Sequence, residues 1–173
     1  MMNAHVANLL NEQVNKEFYS AYLYLDFANY FERIGLAGFA HYFKVQAQEE
    51  RDHALMFYQY LQDSDQPVTL EAIARPDSRL GDRMEPLRQA LEHEEFVTAS
   101  INAIYAAAAA EQDYRTLRFL DWFINEQAEE EKSARDLIAK MEQFGSDAQG
   151  GLYLLASMTS DAFLPTLVRK LTS

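Results

Sequence analysis

The chain has 173 residues, of which nearly half are apolar, with a formal net charge of −12 and no cysteine. This length favours one domain with a single core over residues 1–173, and the acidic surplus disfavours nucleic acid and anionic membranes but favours attraction of cations. The lack of cysteine excludes disulfides, iron–sulfur clusters and thiolate zinc sites, and the lack of a signal peptide or membrane-length apolar segment leads us to expect a cytoplasmic protein.

The predicted elements are all helical, and polar caps mark their boundaries. Four long helices are predicted, over about 4–34, 37–63, 83–112 and 114–144. Asp82, followed three residues later by Glu85, resembles a capping arrangement at the start of the third helix, and Asp113 is placed to cap the fourth. A short fifth helix is predicted over about 150–164, and Pro165 argues against its continuation to the end of the chain.

The lengths of the connections predict how the helices are arranged. Short links make the first and second helices antiparallel neighbours, and the third and fourth likewise. The middle link of about 18 residues can extend ~60 Å, whereas a helix of about 27 residues is only ~40 Å long. This link can therefore run the length of the bundle, which predicts an all-α four-helix bundle with one long crossover.

The core stripe of each helix is apolar except near its middle. Written at alternating steps of four and three residues, the spacing of packed bundles, each stripe is broken by ionisable or amide side chains. The breaks are Glu17 in the first helix, Glu50 and His53 in the second, Glu94 in the third, and Gln127 and Glu130 in the fourth. Because helices of similar length pack side by side, these positions should lie at one height and form one polar site inside the bundle.

The chemistry of these residues favours a metal site. Four buried carboxylates would repel one another and mostly protonate unless cations balanced them. Two divalent cations would do so, and oxygen ligands with one imidazole suit iron or manganese better than structural zinc. The spacing of Glu50 and His53 places both on one helical face, so Glu50 can bridge two metals while His53 binds one of them.

Each of these residues has a simpler interpretation when taken alone. A single glutamate on a core stripe is commonly an edge residue that reaches solvent, and an isolated His53 would more often be a hydrogen-bonded core histidine. The acidic run from Glu126 to Glu131 resembles a solvated face. The polar residues could also merely fix the register of a non-catalytic helical interaction module. Agreement of four helices at one height favours the metal site.

The polar motifs resemble those of a known family. The matching segments are Asn15–Glu17, Glu49–His53, Glu94 and Glu126–Glu130. Together with the helix order they resemble the ferritin-like di-iron carboxylate proteins, and within that group the bacterial-type non-haem ferritins. The resemblance covers almost the whole chain, including the crossover and the short fifth helix.

The resemblance implies two irons held between the helices. One iron would be bound by Glu17, Glu50 and His53. The second would be bound by Glu50, Glu94 and Glu130, with Gln127 near it.

The resemblance also implies two accessory features. A third, nearby iron site would be formed by Glu49, Glu126 and Glu129, with Glu130 shared. The family's matching tyrosine, here Tyr24, is a proposed electron donor or ordering hydrogen-bond donor. The alternative for Tyr24 is a core tyrosine whose hydroxyl contacts a carboxylate.

Two positions depart from related patterns. The generic di-iron pattern has Glu-x-x-His on two helices, but the fourth helix here has Gln127 and Glu130 at that spacing. The second iron therefore lacks an imidazole, and it should exchange more readily than a permanent cofactor. Haem-binding relatives carry a methionine after the bridging glutamate, whereas this chain has Arg51, so no haem is expected.

The function that the resemblance implies is iron storage with ferroxidase activity. Fe(II) would be oxidised by dioxygen or peroxide, and the ferric product would be stored as mineral in a cage of 24 identical subunits. Stand-alone oxidation of another substrate, by a di-iron oxidase or peroxidase without storage, is the alternative. The size of the assembly separates the two functions.

Overall fold

A computed structural model of the chain describes residues 2–76 and 80–144, and it contains the four long helices that the sequence predicts. They are α1 (Ala4–Arg33), α2 (Ala37–Asp63), α3 (Glu85–Ala110) and α4 (Tyr114–Phe144). The four-helix prediction is thus confirmed. The fifth helix predicted over 150–164 lies outside the described residues. Among the residues that are described, no helix is both long enough and apolar enough to cross a membrane.

The start of α3 is set by a side-chain cap. The Asp82 carboxylate accepts hydrogen bonds from the backbone N–H groups of Met84 at 2.6 Å and Glu85 at 3.2 Å. These bonds satisfy donors that have no partner within the helix. The helix therefore begins at Glu85, two residues later than predicted, although Asp82 has the capping role that the sequence indicates.

The turn between α3 and α4 combines a left-handed residue with a second cap. Gln112 has φ of +56°, and the next backbone N–H, of Asp113, donates to the Ala108 carbonyl at 2.9 Å. This is the closing bond of a helix C-terminal motif, and α3 ends two residues earlier than predicted. Asp113 accepts hydrogen bonds from the Thr116 N–H at 3.2 Å and the Thr116 hydroxyl at 2.7 Å. The predicted cap of the fourth helix is confirmed.

The helix directions follow from contacts in which one residue number rises as the other falls. The defining pairs are Phe31–Phe39 and Glu17–Glu50 between α1 and α2, and Lys16–Ser100 and Tyr24–Glu94 between α1 and α3. Both α2 and α3 are therefore antiparallel to α1, so they are parallel to each other. This is the one-crossover topology predicted from the length of the middle link.

The crossover is held along α1 by two asparagine side chains. Asn11 accepts a hydrogen bond from the Thr69 N–H at 2.8 Å and donates to the Thr69 carbonyl at 3.2 Å. One turn further along, Asn15 accepts from the Glu71 N–H at 2.8 Å and donates to the Thr69 carbonyl at 3.0 Å. These side chains satisfy backbone groups of a segment that forms neither helix nor strand.

The apolar core is divided into two clusters, one toward each end of the bundle. One cluster contains Phe27, Phe31, Phe39, Phe43 and Leu87, and the other contains Leu10, Phe57, Leu61, Ile101 and Phe123. The polar positions of all four helices lie between these clusters. The two clusters therefore enclose a polar layer at mid-height.

The buried surface of α1 and α3 is rotated slightly from the predicted stripes. The alternating spacing predicts Ala21 and Leu91 at core positions, but both are partly exposed, while Ser20 and Ala90 are buried. These helices bury a wider face than a strict two-position seam. A wider face brings additional polar side chains, among them Gln13, into the interior.

Candidate metal centre

The polar layer contains six buried glutamates and one buried histidine among the described residues. They are Glu17, Glu49, Glu50, Glu94, Glu126, Glu130 and His53. Each is less than a tenth exposed, and no lysine or arginine in the described part of the chain is buried with them. So many carboxylates without a buried cationic side chain would repel one another strongly. Such a layer is suited to binding cations.

The first group within the layer joins α1 to α2. Glu17, Glu50 and His53 each offer one ligand atom, and these atoms lie within 4.8 Å of one another. His53 Nδ1 is 3.4 Å from Glu50 Oε2, as expected for residues one turn apart on one helical face. The structure brings together the three residues predicted to hold the first iron.

Two atoms of this group are suited to a metal. Glu17 Oε2, in the ionised form, and His53 Nε2 are buried without a hydrogen-bond partner, which is costly for polar atoms unless another group binds them. The His53 ring packs edge-on against Trp122 and Phe123, with ring centroids 5.4 and 5.8 Å away. These contacts fix the direction of the imidazole. The donor set, two carboxylates and one imidazole, fits a divalent iron ion.

Glu94 is held by donors from two other helices. The Tyr24 hydroxyl donates to Glu94 Oε1, and Gln127 Nε2 donates to Glu94 Oε2 at 3.0 Å. Gln127 also contacts the Glu94 carbonyl at 3.3 Å, so its amide nitrogen faces α3. Glu94 therefore lies in the same polar layer but outside the two compact ligand groups.

The second compact group consists of Glu49, Glu126 and Glu130, whose ligand atoms also lie within 4.8 Å of one another. Glu130 accepts a hydrogen bond from Gln46 Nε2 at 2.9 Å. Glu129, which was predicted to share this third site, is exposed and lies outside the group. Glu49 and Glu126 are buried rather than at the edge of the bundle, because α2 buries the adjacent Glu49 and Glu50, and α4 buries Glu126 and Glu130 one helical turn apart.

The electrostatics of the layer favour protonation when no cation is present. Burial, followed by repulsion from Glu50, raises the pKa of Glu17 well above its ordinary value of 4.5. Burial and the neighbouring Glu94 raise the pKa of Glu50 and of Glu130 in the same way. Burial also raises the pKa of the Glu94 carboxyl group. Bound divalent cations would supply the missing opposite charge and favour the ionised forms.

Several polar residues around the centre are not predicted from the sequence. Gln13 and Ser20 are completely buried on α1, and Tyr42 is buried on α2. His93 Nε2 is 2.7 Å from the Ser20 hydroxyl, and burial lowers the pKa of His93 to about 4. None of them falls on the alternating core spacing, although Gln13 lies one helical turn before Glu17, a signal that could have identified it.

A small cavity adjoins the polar layer and is lined by residues of all four helices. It has a volume of about 10 Å³, and its polar lining includes Tyr24, Tyr42, Gln46, Glu94 and Glu130. This volume holds about one water-sized molecule. A water-sized molecule therefore fits beside Glu94 and Glu130.

Comparison with known proteins identifies relatives along nearly the whole chain. A family profile described as a ferritin-like domain matches residues 7–144. The bacterial non-haem ferritin of Campylobacter jejuni is 36% identical over 154 residues, which cover 89% of this chain and 92% of the relative. The bacterial non-haem ferritin of Bacteroides fragilis is 34% identical over 157 residues, covering 91% and 97%.

A solved structure agrees with the sequence relatives. The open-pore ferritin from the hyperthermophilic archaeon Archaeoglobus fulgidus superposes with a TM-score of 0.88 at 37% sequence identity. The match covers 91% of this chain and 96% of that one. The likeness therefore extends over the polar layer and over all four helices.

Proposed function

The chain belongs to the ferritin-like family, and on this premise we propose that it is an iron store that oxidises Fe(II) at the buried centre. The observation that carries the proposal is the polar layer of six buried glutamates and His53, which has no buried lysine or arginine among the described residues to balance it. Divalent iron entering this layer supplies that charge. The ferric product then leaves the centre and is deposited as mineral.

Iron is the substrate of this centre, and the protein positions it. Glu17, Glu50 and His53 supply the ligand atoms for one Fe(II). We propose that Glu50 also reaches a second Fe(II), which Glu94 and Glu130 hold. Glu94 can accept hydrogen bonds from its two donors and still offer lone pairs to a metal, because each carboxylate oxygen has two.

The redox reaction balances with two irons. Two Fe(II) ions lose one electron each, and these electrons reduce dioxygen to hydrogen peroxide, or hydrogen peroxide to water, with two protons taken up in either case. The buried layer holds the two substrates at adjacent positions. Tyr24, whose hydroxyl donates to Glu94, orders this ligand. We propose that it can also supply one of the two electrons in place of one Fe(II), becoming a tyrosyl radical as its proton passes to Glu94.

The ferric product must leave the centre, and the ligands of the second iron position favour exchange of the metal. Glu130 occupies the place where the generic di-iron pattern has an imidazole, and Gln127 occupies the place of its glutamate. The Gln127 amide nitrogen donates to Glu94. A metal held only by carboxylates here exchanges more readily than one with an added imidazole ligand. Glu49, Glu126 and Glu130 form the adjoining third position, and exposed Glu129 lies beside it toward solvent.

Mutation of the bridging ligand tests the named site. Metal-free protein is mixed with Fe(II) in air and ferric absorbance is followed, beside Glu50→Gln and a matched control, Glu95→Gln, whose parent residue is exposed on α3. We expect Glu50→Gln to slow the initial oxidation by at least about 10-fold and Glu95→Gln to match the parent. Equal rates in all three proteins would contradict the assignment.

Assembly size tests storage. We propose a cage of 24 subunits of 19.9 kDa, located in the cytoplasm. Gel filtration with light scattering should find a particle of about 480 kDa that retains ferric mineral. A particle of one or two chains that oxidises iron without retaining it would favour the stand-alone oxidase instead.

A further inference from the structure

A chain of hydrogen bonds connects the surface of the bundle to the first ligand group. We propose that Lys16, Ser100 and Gln13 form a positioning relay that orients Glu17 for metal binding. This inference rests on the proposed function, since it concerns how one ligand of that centre is held. None of the three residues offers a ligand atom to the metal itself.

The relay crosses from α1 to α3 and back. Lys16 Nζ donates to the Ser100 hydroxyl oxygen at 2.6 Å. The Ser100 hydroxyl donates to Gln13 Oε1 at 2.7 Å, and Gln13 Nε2 donates to Glu17 Oε1 at 2.8 Å. Burial increases along this path, because the Lys16 side chain is 30% exposed while Gln13 and Glu17 are completely buried.

The two ends of the relay fix the direction of every bond within it. A lysine ammonium group only donates, and a carboxylate only accepts. Because Ser100 accepts from Lys16, its one hydroxyl proton is available to donate to Gln13. Gln13 must then present its amide oxygen to Ser100 and its amide nitrogen to Glu17. Reversing the amide would place an oxygen against the carboxylate and a nitrogen against a donated proton.

The relay leaves one oxygen of Glu17 for the metal. Oε1 is occupied by the Gln13 amide, whereas Oε2 is buried without a hydrogen-bond partner in the ionised form. The carboxylate is thereby held so that a single oxygen faces the group formed with Glu50 and His53. Hydrogen bonds of this kind fix the orientation of metal ligands and contribute to affinity.

Lys16 is itself held in place by its surroundings. Its Nζ lies 5.7 Å from the centre of the Phe96 ring, within the range of a cation–π contact, and 3.9 Å from Glu12 Oε2. These contacts keep the ammonium group against α3 instead of free in solvent. The Lys16 ammonium group, which donates the first hydrogen bond of the relay, is therefore held by contacts with both α1 and α3.

A relay that only ties α1 to α3 would affect folding, whereas a positioning relay affects metal affinity. Metal-free full-length protein is titrated with Co(II), and the visible absorption band that disappears in His53→Ala is taken to report this ligand group. The variants are Ser100→Ala, which removes the hydroxyl, and Ser100→Thr, which retains it. Unfolding midpoints of the metal-free variants are measured in parallel.

We expect Ser100→Ala to weaken this Co(II) site by about 10-fold, and Ser100→Thr to restore the affinity. The proposal is overturned if Ser100→Ala binds Co(II) as tightly as the parent. It is also overturned if both variants lose affinity equally, or if the loss only follows a lower unfolding midpoint. In those cases the hydroxyl does not orient the ligand.

A charge variant tests the outer end of the relay. Lys16→Met should weaken the same Co(II) band, while the matched control Lys44→Met, at an exposed lysine paired with Glu32, should leave it unchanged. Equal binding by Lys16→Met and the parent would remove Lys16 from the relay. If the parent bound no Co(II) and oxidised no Fe(II), the proposed function itself would fail, a result distinct from failure of the relay alone.

Discussion

The hydroxyl of Tyr24 on α1 donates a hydrogen bond to the Glu94 carboxylate on α3. Burial and the surrounding carboxylates raise the pKa of Tyr24 well above its ordinary value of 10.0, so the phenol keeps its proton and acts as a donor. This bond connects an oxidisable side chain to a proposed ligand of the second iron. Tyr24 is therefore placed both to orient this ligand and to donate an electron.

We predict that Tyr24→Phe slows Fe(II) oxidation by about 10-fold, because Glu94 loses a hydrogen bond of the kind that orients metal ligands. Stopped-flow absorbance measures the rate, and Tyr114→Phe, at an exposed tyrosine, is the matched control. Electron donation would also produce a transient tyrosyl radical signal in the parent that the variant lacks. An unchanged rate in Tyr24→Phe would leave Tyr24 as a core tyrosine.

The raised carboxyl pKa values predict an unusual pH dependence for the metal-free protein. Between the unfolded value of about 4.5 and the higher folded value, the native state of Glu50 binds more protons than the unfolded state. The contribution of Glu50 to the unfolding free energy therefore falls as pH rises through this interval. Glu50→Gln removes this titration, so its stability relative to the parent should increase with pH.

Chemical unfolding of both metal-free proteins between about pH 5 and about pH 8 measures this difference. Comparing the two proteins at each pH cancels the opposite effect of His93, whose lowered pKa destabilises the fold as pH falls below 6.5. With saturating Mn(II), the order should reverse at high pH, since the metal binds the ionised carboxylate. A difference that does not change with pH would contradict the prediction.

Glu130→His should convert the exchanging position into a retaining one. An imidazole at this place replaces a carboxylate with a nitrogen ligand that divalent iron and zinc bind well, and the hydrogen bond from the Gln127 amide to Glu94 is kept. We expect the variant to retain more metal after treatment with a chelator and to turn over Fe(II) more slowly. Metal analysis after gel filtration measures the retention, and Glu95→His, at an exposed glutamate of α3, is the control. Equal retention in all proteins would argue against Glu130 as the determinant.

The register of α4 could be predicted from the sequence almost completely. Its alternating core positions, including Leu120, Phe123, Leu137 and Met141, are all buried as expected. Large apolar residues and charged residues alternate clearly in this helix, so only one face can turn inward. In α1 the small residues Ser20 and Ala21 are adjacent, and hydrophobicity does not decide between them. The buried one is Ser20, which contacts His93.

The polar layer was visible in the sequence because four helices break their apolar stripes at one height. The details within it were not, since they depend on small rotations of the helices. The rotation of α1 buries Gln13, and the buried face of α4 is wide enough to include Glu126 but not Glu129. The bonds from Tyr24 and Gln127 that hold Glu94 outside both ligand groups likewise require three-dimensional contacts.

The two asparagines that hold the crossover predict a local loss of stability on mutation. Asn15→Ala removes the acceptor of the Glu71 N–H and one donor to the Thr69 carbonyl. Each lost bond should cost about 1 kcal/mol in local opening. Limited proteolysis of the crossover should therefore be faster in Asn15→Ala than in the parent, whereas Asn29→Ala, at an exposed position on α1, should behave like the parent. Equal cleavage rates would show that the asparagine does not hold the segment.

The left-handed residue between α3 and α4 predicts a stabilising substitution. Gln112 has φ of +56°, a conformation that costs a side-chain-bearing residue roughly 1 kcal/mol relative to glycine. Its side chain is exposed, and the closing bond from the Asp113 N–H to the Ala108 carbonyl uses only backbone atoms. Gln112→Gly should therefore raise the unfolding free energy by up to about 1 kcal/mol, less the entropy that glycine adds to the unfolded chain. Gln59→Gly, at an exposed position inside α2, should lower it by a similar amount. Denaturant unfolding of the metal-free proteins measures both changes, and a loss of stability in Gln112→Gly would mean that the left-handed conformation carries no strain.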